Sequence, residues 1–345
     1  MRTNITLKEI AYILGVSVST VSKALKDSEE ISKATREKVK KTAQRYNYRP
    51  NSVALNLKCN RSCTIGVIVP ELSDLFFSDA LDGIMEQSAR KNYKVMIYPS
   101  KGSPLREMAL IKMLTDGSID GLILYMSSET INTKAYDYVV DLMNRGFPVV
   151  LLENRTRDIR CDRVFVDQAD CCYQAGKNLS EKNCQNILLI AHRNESLPEW
   201  KRGFENAVGK SKMRKGFHRV LEIGEKMNVQ EEIEDFLSSQ MHIDGVITTK
   251  PEFALITRKI LKTQVSVVSF VKKSAVAQSL YPNVSYLVYD PFKMGEQATR
   301  VLLKKIEGDS KKRVTKTINS FCIDGDSAHF ESHHFSENMK YAVSF

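Results

Sequence analysis

The sequence has 345 residues, enough for two or three domains with full hydrophobic cores, and a formal net charge of +10. Its start leads directly into polar helix-forming sequence without the apolar stretch of a signal peptide, and no segment approaches the length of a membrane span. These features argue against a secreted or membrane-embedded protein and predict a cytoplasmic one that has no membrane partner.

The positive charge is concentrated at the N-terminus. Residues 1–63 contain 13 Lys and Arg against 5 Asp and Glu, so this fifth of the chain carries eight of the ten excess charges. An ordinary three-helix bundle with a solvated basic face is the alternative. Concentrated positive charge on a small helical unit is more typical of binding to nucleic-acid phosphates.

The first helix is predicted to begin after Thr6, which forms a capping box with Glu9. Gly15 ends that helix at a position suited to a left-handed residue. The apolar face of the helix consists of Leu7, Ile10, Ala11 and Leu14.

Two further helices complete a small core. Ser17 can cap the second helix and Ser32 the third, since serine side chains accept hydrogen bonds from helix N-terminal amides. The inward-facing residues are Val21, Ala24 and Leu25 on the second helix and Val39, Ala43 and Tyr46 around the third. Two helices joined by a short glycine-containing turn are typical of a helix-turn-helix motif.

Four blocks of sequence, in order, carry a family resemblance: GVSVSTVSKAL, SKATREKV, YRPNSVALNL and TIGVIVPELSDLFF. From about Ile5 to Asp324 the chain resembles the LacI/GalR family of bacterial transcription regulators. The resemblance implies an N-terminal all-α helix-turn-helix head. It also implies an α/β core like a periplasmic sugar-binding protein, with two doubly wound parallel-sheet lobes around a cleft.

By resemblance, Val18, Ser19 and Lys23 occupy the family's base-reading positions on the second helix. An apolar Val18 suits a thymine methyl group, and Lys23 suits guanine O6 and N7. Packing in the core is the alternative role for Val18. Residues expected to contact phosphates or to cap the helix are Ser17, Thr20 and Ser22.

The segment 51–63 resembles the family's hinge helix and linker. Ala54 and Leu57 are three residues apart and would share one helical face, and Leu57 is the candidate wedge into a central minor-groove base step. Arg49 and Asn51 are expected to anchor the DNA backbone. The alternative for Leu57 is an ordinary linker residue.

From Cys63 onward, apolar strands alternate with helix-length segments, a pattern that predicts parallel doubly wound sheets. The predicted strands are 64–69, 94–98, 121–125, 149–152, 164–166, 187–190, 220–223, 245–248, 265–270 and 285–288. The predicted domains are a head at 1–50, the hinge at 51–63, a core at 64–331 and a tail at 332–345. By resemblance, lobe one of the core is 64–160 and 290–318, and lobe two is 161–289 and 319–331.

The expected cleft residues depart from the family's pattern. The family's S-N-P-F-F loop reads here as SDLFF, Trp200 stands where a ligand-binding arginine is usual, and Lys250 replaces an asparagine at a strand end. Since ligands of open α/β sheets bind at carboxyl strand ends, we expect the cleft at these positions. The candidate effector residues are Asp74, Phe76, Phe77, Trp200, Lys250 and Phe270.

Three interpretations of this cleft stay open. It is a sugar site rebuilt around aromatic stacking on Trp200 and Phe77, or a site for an anionic effector that binds Lys250. In the third, small-molecule control is lost or replaced by a protein partner. Trp200 could instead be a buried packing residue, and Lys250 a solvated one.

Other chemistries find little support. The seven cysteines are odd in number and lack paired C-x-x-C spacing, which favours free thiols, and His329, His333 and His334 fit a solvated tail better than a metal site. The sequence contains none of the dinucleotide, P-loop or nucleophile-elbow motifs. We therefore predict no enzyme, catalytic residue, metal or cofactor, with an enzyme on a doubly wound fold as a remote alternative.

The predicted function is that of a sequence-specific transcription regulator, with repression as the expected mode. Its partners would be a second copy of the chain and double-stranded operator DNA, because two heads related by two-fold symmetry read a pseudo-palindromic site. A sugar or sugar derivative in the core cleft would modulate DNA affinity. A regulator without small-molecule sensing is the alternative.

Overall fold

The computed structural model describes residues 5–48, 61–73, 75–153, 156, 158–193, 197–210, 216–224, 228–239, 242–261, 265–273, 283–309 and 312–325. The chain divides into two compact units between Ser62 and Cys63. The predicted limit of the head at residue 50 and the tail at 332–345 lie outside the described residues.

The first unit contains three helices, α1 (Leu7–Leu14), α2 (Val18–Leu25) and α3 (Lys33–Arg45). Their boundaries follow the predicted caps. The Thr6 hydroxyl accepts from the Glu9 amide while the Glu9 carboxylate accepts from the Thr6 amide at 2.6 Å, and Gly15 adopts a φ of 63°. The Ser17 and Ser32 hydroxyls accept from the third residue of α2 and α3, respectively. The helix-turn-helix arrangement is confirmed.

The predicted core of the head is correct except at Tyr46. Ile10, Val21 and Val39 are fully buried, but Tyr46 is 46% exposed. Helix α3 ends at Arg45, so Tyr46 leaves the inward face, and Asn47 then turns the chain through a φ of 49°. This turn allows Tyr48, two residues later, to pack against the core.

The second unit contains two six-stranded sheets with helices between the strands. The helices are α4 (Leu75–Ala89), α5 (Pro104–Leu114), α6 (Ser128–Asn132), α7 (Asp137–Asn144), α8 (Gln168–Glu181), α9 (Leu197–Lys210), α10 (Val229–Ser239), α11 (Pro251–Leu261) and α12 (Pro291–Glu307). The strands are β1 (Thr64–Val69), β2 (Lys94–Pro99), β3 (Gly121–Leu124), β4 (Val149–Leu151), β5 (Asp162–Val166), β6 (Ile187–His192), β7 (His218–Ile223), β8 (Gly245–Thr248), β9 (Ser266–Lys272), β10 (Val284–Tyr289), β11 (Thr315–Ile318) and β12 (Phe321–Ile323). No helix within these ranges has both the length and the apolar composition needed to cross a bilayer.

Sheet one has the strand order β11-β5-β4-β3-β1-β2 and sheet two the order β12-β10-β9-β8-β6-β7. Neighbouring strands pair in parallel, and β12 against β10 is the antiparallel exception in the described ladders. All ten predicted strands are present. The sequence did not predict β11 and β12, because β11 lacks an apolar run, β12 is only three residues long, and both edge strands are largely exposed.

The predicted start of lobe two at residue 161 is wrong. Strand β5 pairs with β4 and β11 inside sheet one, so the first crossover follows Val166. A buried carboxylate fixes this arrangement: Asp162 accepts from the Val314 amide at 2.6 Å and forms an ion pair with Lys305 at 3.0 Å. These contacts join β5 to the chain just before β11 and to α12.

Helices α4 and α12 cover sheet one together and approach each other at two glycines. A Cβ atom on Gly295 would lie 1.9 Å from the Ala80 carbonyl oxygen, and one on Gly83 would lie 2.0 Å from the Phe292 carbonyl oxygen. Both obstacles are backbone atoms, so the helices could accept a side chain only by moving apart.

We therefore expect Gly295→Ala to lower the free energy of unfolding by about 1–3 kcal/mol, as overpacking typically does. Gly209→Ala in α9 is the matched control, because that position has open space and alanine favours a helix, so we expect a gain of about 0.4–1 kcal/mol. Denaturant unfolding of both variants checks this. Equal stability of the two would contradict the close approach of α4 and α12.

Candidate functional site

The outward face of α2 carries the predicted base-reading residues. Val18 is 41% exposed, whereas Val21 and Ala24 are fully buried and fill the core below it. The core-packing alternative for Val18 is therefore wrong. Ser19 and Lys23 also keep access to solvent, so all three predicted readers are available to a ligand.

Hydroxyl groups cluster at the N-terminus of α2. The Ser17 hydroxyl lies 2.7 Å from that of Ser19 and 2.8 Å from that of Thr20, and it accepts from the Thr20 amide at 3.0 Å. Ser17 is thus a helix cap, one of its two predicted roles, and Ser22 is half-buried in the next turn. Hydroxyl donors at the positive end of a helix dipole suit phosphate oxygens.

Lys23 has a partner that the sequence pattern did not predict. Its ammonium contacts the carboxylate of Glu30, and both side chains are substantially exposed. Glu30 follows α2 in the loop that leads to α3. The separation of seven residues across a turn gives no pattern that predicts such a pair.

Several predicted site residues lie outside the described residues. They are Arg49 of the head, Asn51, Ala54 and Leu57 of the hinge, and Asp74 of the expected cleft. Their roles remain predictions.

A cavity of about 460 Å³ lies between the two sheets of the second unit. Tyr125 and Glu153 line it just beyond strands of sheet one, and Thr249 and Lys250 just beyond β8 of sheet two. The cavity therefore lies at carboxyl strand ends, where open α/β sheets bind ligands. The predicted cleft residues that the structure brings together here are Phe76, Phe77, Trp200, Lys250 and Phe270.

Aromatic rings line the cavity from both lobes. In lobe one, Phe76, Phe77 and Tyr125 form an edge-to-face cluster with ring centroids 4.9–5.9 Å apart. In lobe two, the rings of Trp200 and Phe270 lie 4.4 Å apart. Trp200 is half-buried and packs against the lobe core while also lining the cavity, so both roles considered for it apply.

The charged lining differs from expectation. Lys250 lies in the cavity wall with its ammonium 5.9 Å from the ring centre of Phe253. The described lining residues include four carboxylates and two amines. The carboxylates belong to Glu153, Asp167, Glu199 and Glu252, and the amines to Lys250 and Lys272. This balance does not favour the anionic-effector interpretation.

Two of these carboxylates are held in place by neutral donors. Glu153 is 4% exposed and accepts from the Thr156 hydroxyl at 2.6 Å. Asp167 caps α8 by accepting from the amides of Ala169 and Asp170 at 3.1 Å. Strand-end position could have predicted both residues, since each lies just beyond a strand of sheet one.

Two of the described cysteines, Cys161 and Cys171, are buried thiols of low reactivity. All six described cysteines are free, and burial raises the pKa of Cys161 and Cys171 to about 11. These two thiols stay protonated at neutral pH, and a thiolate is the nucleophilic form of cysteine. Cys59 and the three histidines of the tail lie outside the described residues.

Comparison with known proteins agrees with this geometry. Residues 6–51 match the profile of "Bacterial regulatory proteins, lacI family", and residues 62–280 match "Periplasmic binding proteins and sugar binding domain of LacI family". The HTH-type transcriptional regulator RegA of Clostridium saccharobutylicum is 27% identical, with 87% of this chain and 92% of that protein aligned. The transcriptional repressor PurR of Vibrio parahaemolyticus is 29% identical over 60% of this chain and 62% of its own length.

Solved structures show the same fold. The lac repressor bound to ONPG in its repressed state superposes with a TM-score of 0.76 at 18% identity, covering 93% of this chain and 99% of that one. A complex of the regulator CelR with cellobiose gives 0.62 at 20% identity, covering 92% and 98%. The matched relatives are transcription regulators, which sets aside the enzyme alternative. The chain belongs to the LacI family of bacterial regulatory proteins.

Proposed function

We propose that this DNA-binding regulator is a repressor that binds a pseudo-palindromic operator as a homodimer, with its affinity for DNA modulated by a sugar-related molecule in the core cleft. The observation that carries the proposal is the exposed α2 face, on which Val18, Ser19 and Lys23 stand clear of a fully packed core. A recognition helix meets the major groove with such residues.

Base reading and positioning are divided among different groups. Val18 contacts a thymine methyl group, and the Lys23 ammonium donates to guanine O6 and N7. The hydroxyls of Ser17, Thr20 and Ser22 bind phosphates, which orient the head without reading sequence. Arg49 and Asn51 anchor the DNA backbone, while Leu57 of the hinge, supported by Ala54, opens a base step from the minor groove.

Dimer formation is supported by apolar side chains at one edge of sheet one. Met85 of α4 and Met96 of the edge strand β2 are 42% and 38% exposed, and α4 packs beside β2. An exposed edge with apolar side chains favours association with another chain. A second copy pairing along this edge would supply the two-fold symmetry that a palindromic operator requires.

The aromatic lining supports a carbohydrate-related effector. Trp200 and the Phe76–Phe77–Tyr125 cluster present rings from opposite lobes, and the apolar faces of sugar rings stack on such surfaces. Related regulators have been solved with cellobiose, for CelR, and with fructose 1-phosphate, for Cra of Pseudomonas putida. Closure of the two lobes around a bound ligand is a common switching device in this architecture.

Lys23→Ala should relax sequence preference at one base pair of each half-site. Loss of the guanine contact costs about 1–3 kcal/mol of discrimination, roughly 5- to 150-fold. Selection from a random duplex library and equilibrium binding to single-base operator variants measure this effect. Lys41→Ala removes the same charge from an exposed position of α3 and should weaken all sequences alike. An unchanged preference at every position in Lys23→Ala would refute the role of Lys23.

Met96→Lys should shift the chain toward monomer in sedimentation velocity and weaken operator binding in parallel. The change places an ammonium in a contact that would otherwise be apolar on both sides. Phe321→Lys is the control, because Phe321 is an exposed apolar residue on the edge strand of sheet two. If the dimer persists in Met96→Lys but dissociates in Phe321→Lys, the dimer interface lies on lobe two and not on the β2 edge of lobe one.

Trp200 is the chain's single tryptophan and reports on the cleft. We expect a sugar or sugar derivative to change its fluorescence saturably and to raise the melting temperature, since binding only to the folded state stabilises it. The panel covers neutral sugars, sugar phosphates, uronic acids and nucleobases. In Trp200→Phe the fluorescence signal should vanish while a reduced thermal shift remains, and Lys250→Ala should weaken anionic ligands selectively. If no compound changes either the fluorescence or the melting temperature while operator binding is intact, the result favours a regulator without small-molecule sensing.

A further inference from the structure

The contact between Lys23 and Glu30 is built into the backbone of the head. After α2, the Ser28 amide donates to the carbonyl oxygen of Lys23 itself at 3.1 Å, and the Ile31 amide donates to the Ser28 carbonyl at 3.2 Å. Ile31 then packs against the core of the head. The segment that carries Glu30 is therefore fastened at both ends, one of them on Lys23.

A second set of contacts holds the same loop from α3. Asp27 adopts a φ of 57°, its carboxylate pairs with Lys40 at 2.5 Å, and its carbonyl oxygen accepts from the Arg36 guanidinium at 3.0 Å. The loop thus has a defined path between the two helices. This path places the Glu30 carboxylate against the Lys23 ammonium in the free protein.

A carboxylate on a DNA-reading face is unfavourable for general phosphate binding, because the DNA backbone is itself anionic. It can accept from the N4 amino group of a cytosine, or it can direct a neighbouring cation, and the contact with Lys23 favours the second role here. A lysine ammonium has three donor hydrogens, so one bond to Glu30 leaves two for guanine O6 and N7. Without that restraint, a long flexible lysine can reach phosphates of any sequence instead.

We propose that Glu30 is a specificity-determining residue of the head, which restrains the Lys23 ammonium at the base edges and keeps it from neighbouring phosphates. This inference rests on the base-reading role of Lys23 proposed above. Glu30 lowers the affinity for DNA of every sequence, but it increases the ratio of the affinity for the operator to the affinity for other DNA.

The experiment compares full-length wild type, Glu30→Gln, Glu29→Gln and the double variant Lys23→Ala/Glu30→Gln. Probes are the duplex selected by the wild type, its single-base variants and a shuffled duplex. Glu29→Gln is the matched control, because it removes the same charge from the adjacent exposed residue. Melting temperatures verify that each variant is folded.

For Glu30→Gln we expect about tenfold tighter binding to the shuffled duplex at low salt. The slope of log affinity against log salt should steepen by about 0.9 per head, because the released ammonium neutralises one further phosphate. Preference for guanine at the Lys23 position should fall about fivefold. Glu29→Gln should leave that preference unchanged, and the double variant should show no less preference than Lys23→Ala alone.

Equal base preference in Glu30→Gln and wild type would overturn the inference, even if affinity for all DNA rose, since that result describes a general charge effect. Equal behaviour of Glu30→Gln and Glu29→Gln would overturn it as well. Failure of the proposed function can be distinguished from failure of this inference. If the proposed function is wrong, the wild type selects no duplex from the random library.

Discussion

The carboxylate of Asp162 is the contact on which the arrangement of the core depends. Buried at the start of β5, it binds the amide before β11 and the ammonium of Lys305 on α12. Strands β5 and β11 are neighbours in sheet one, and each leads directly into a segment of lobe two. One side chain therefore fixes the places at which the chain leaves lobe one for the first and the last time. A buried carboxylate needs such partners, because an unpaired one would be costly.

The position of the cleft follows from that arrangement. Because β5 ends in sheet one at Val166, Asp167 and Gln168 enter the cavity wall as the chain crosses over. The guanidinium of Arg163 supports the preceding turn by donating to the carbonyl oxygens of Thr156 and Ile159 at 2.9 and 2.6 Å. The cleft wall is thus held by polar contacts behind it, while its ligand-facing surface combines aromatic rings with charged side chains. A ligand that spans the cavity would touch rings from both lobes, so its affinity depends on how far the lobes are closed.

Local sequence signals predicted much of this fold. Thr6, Gly15, Ser17 and Ser32 act within one helical turn of themselves, so their roles can be read without knowledge of the rest of the chain. The buried strands could also be predicted from the sequence, because parallel strands covered on both faces are apolar runs. The edge strand β11 was missed because it is mostly polar, and β12 because a run of three residues is too short to predict a strand. The start of lobe two was misplaced because sheet membership of β5 is a long-range property. The same distinction applies to the sites: strand ends indicated the cleft, whereas the Lys23–Glu30 contact depends on the path of a loop that no periodicity describes.

The pairing of α4 with α12 has a consequence for synthesis on the ribosome. The apolar cluster beneath sheet one includes Ile65 and Val67 from its beginning and Met294 and Leu302 from α12, which are separated by the whole of lobe two. The roughly 120 residues between β5 and α12 take about 6–25 s to synthesise at 5–20 residues per second. During that interval α4 alone lies on that face of the nascent sheet, and the apolar surface that α12 will cover stays exposed while the second lobe is completed. The part of sheet one that α12 covers thus needs protection from aggregation until lobe two has been made.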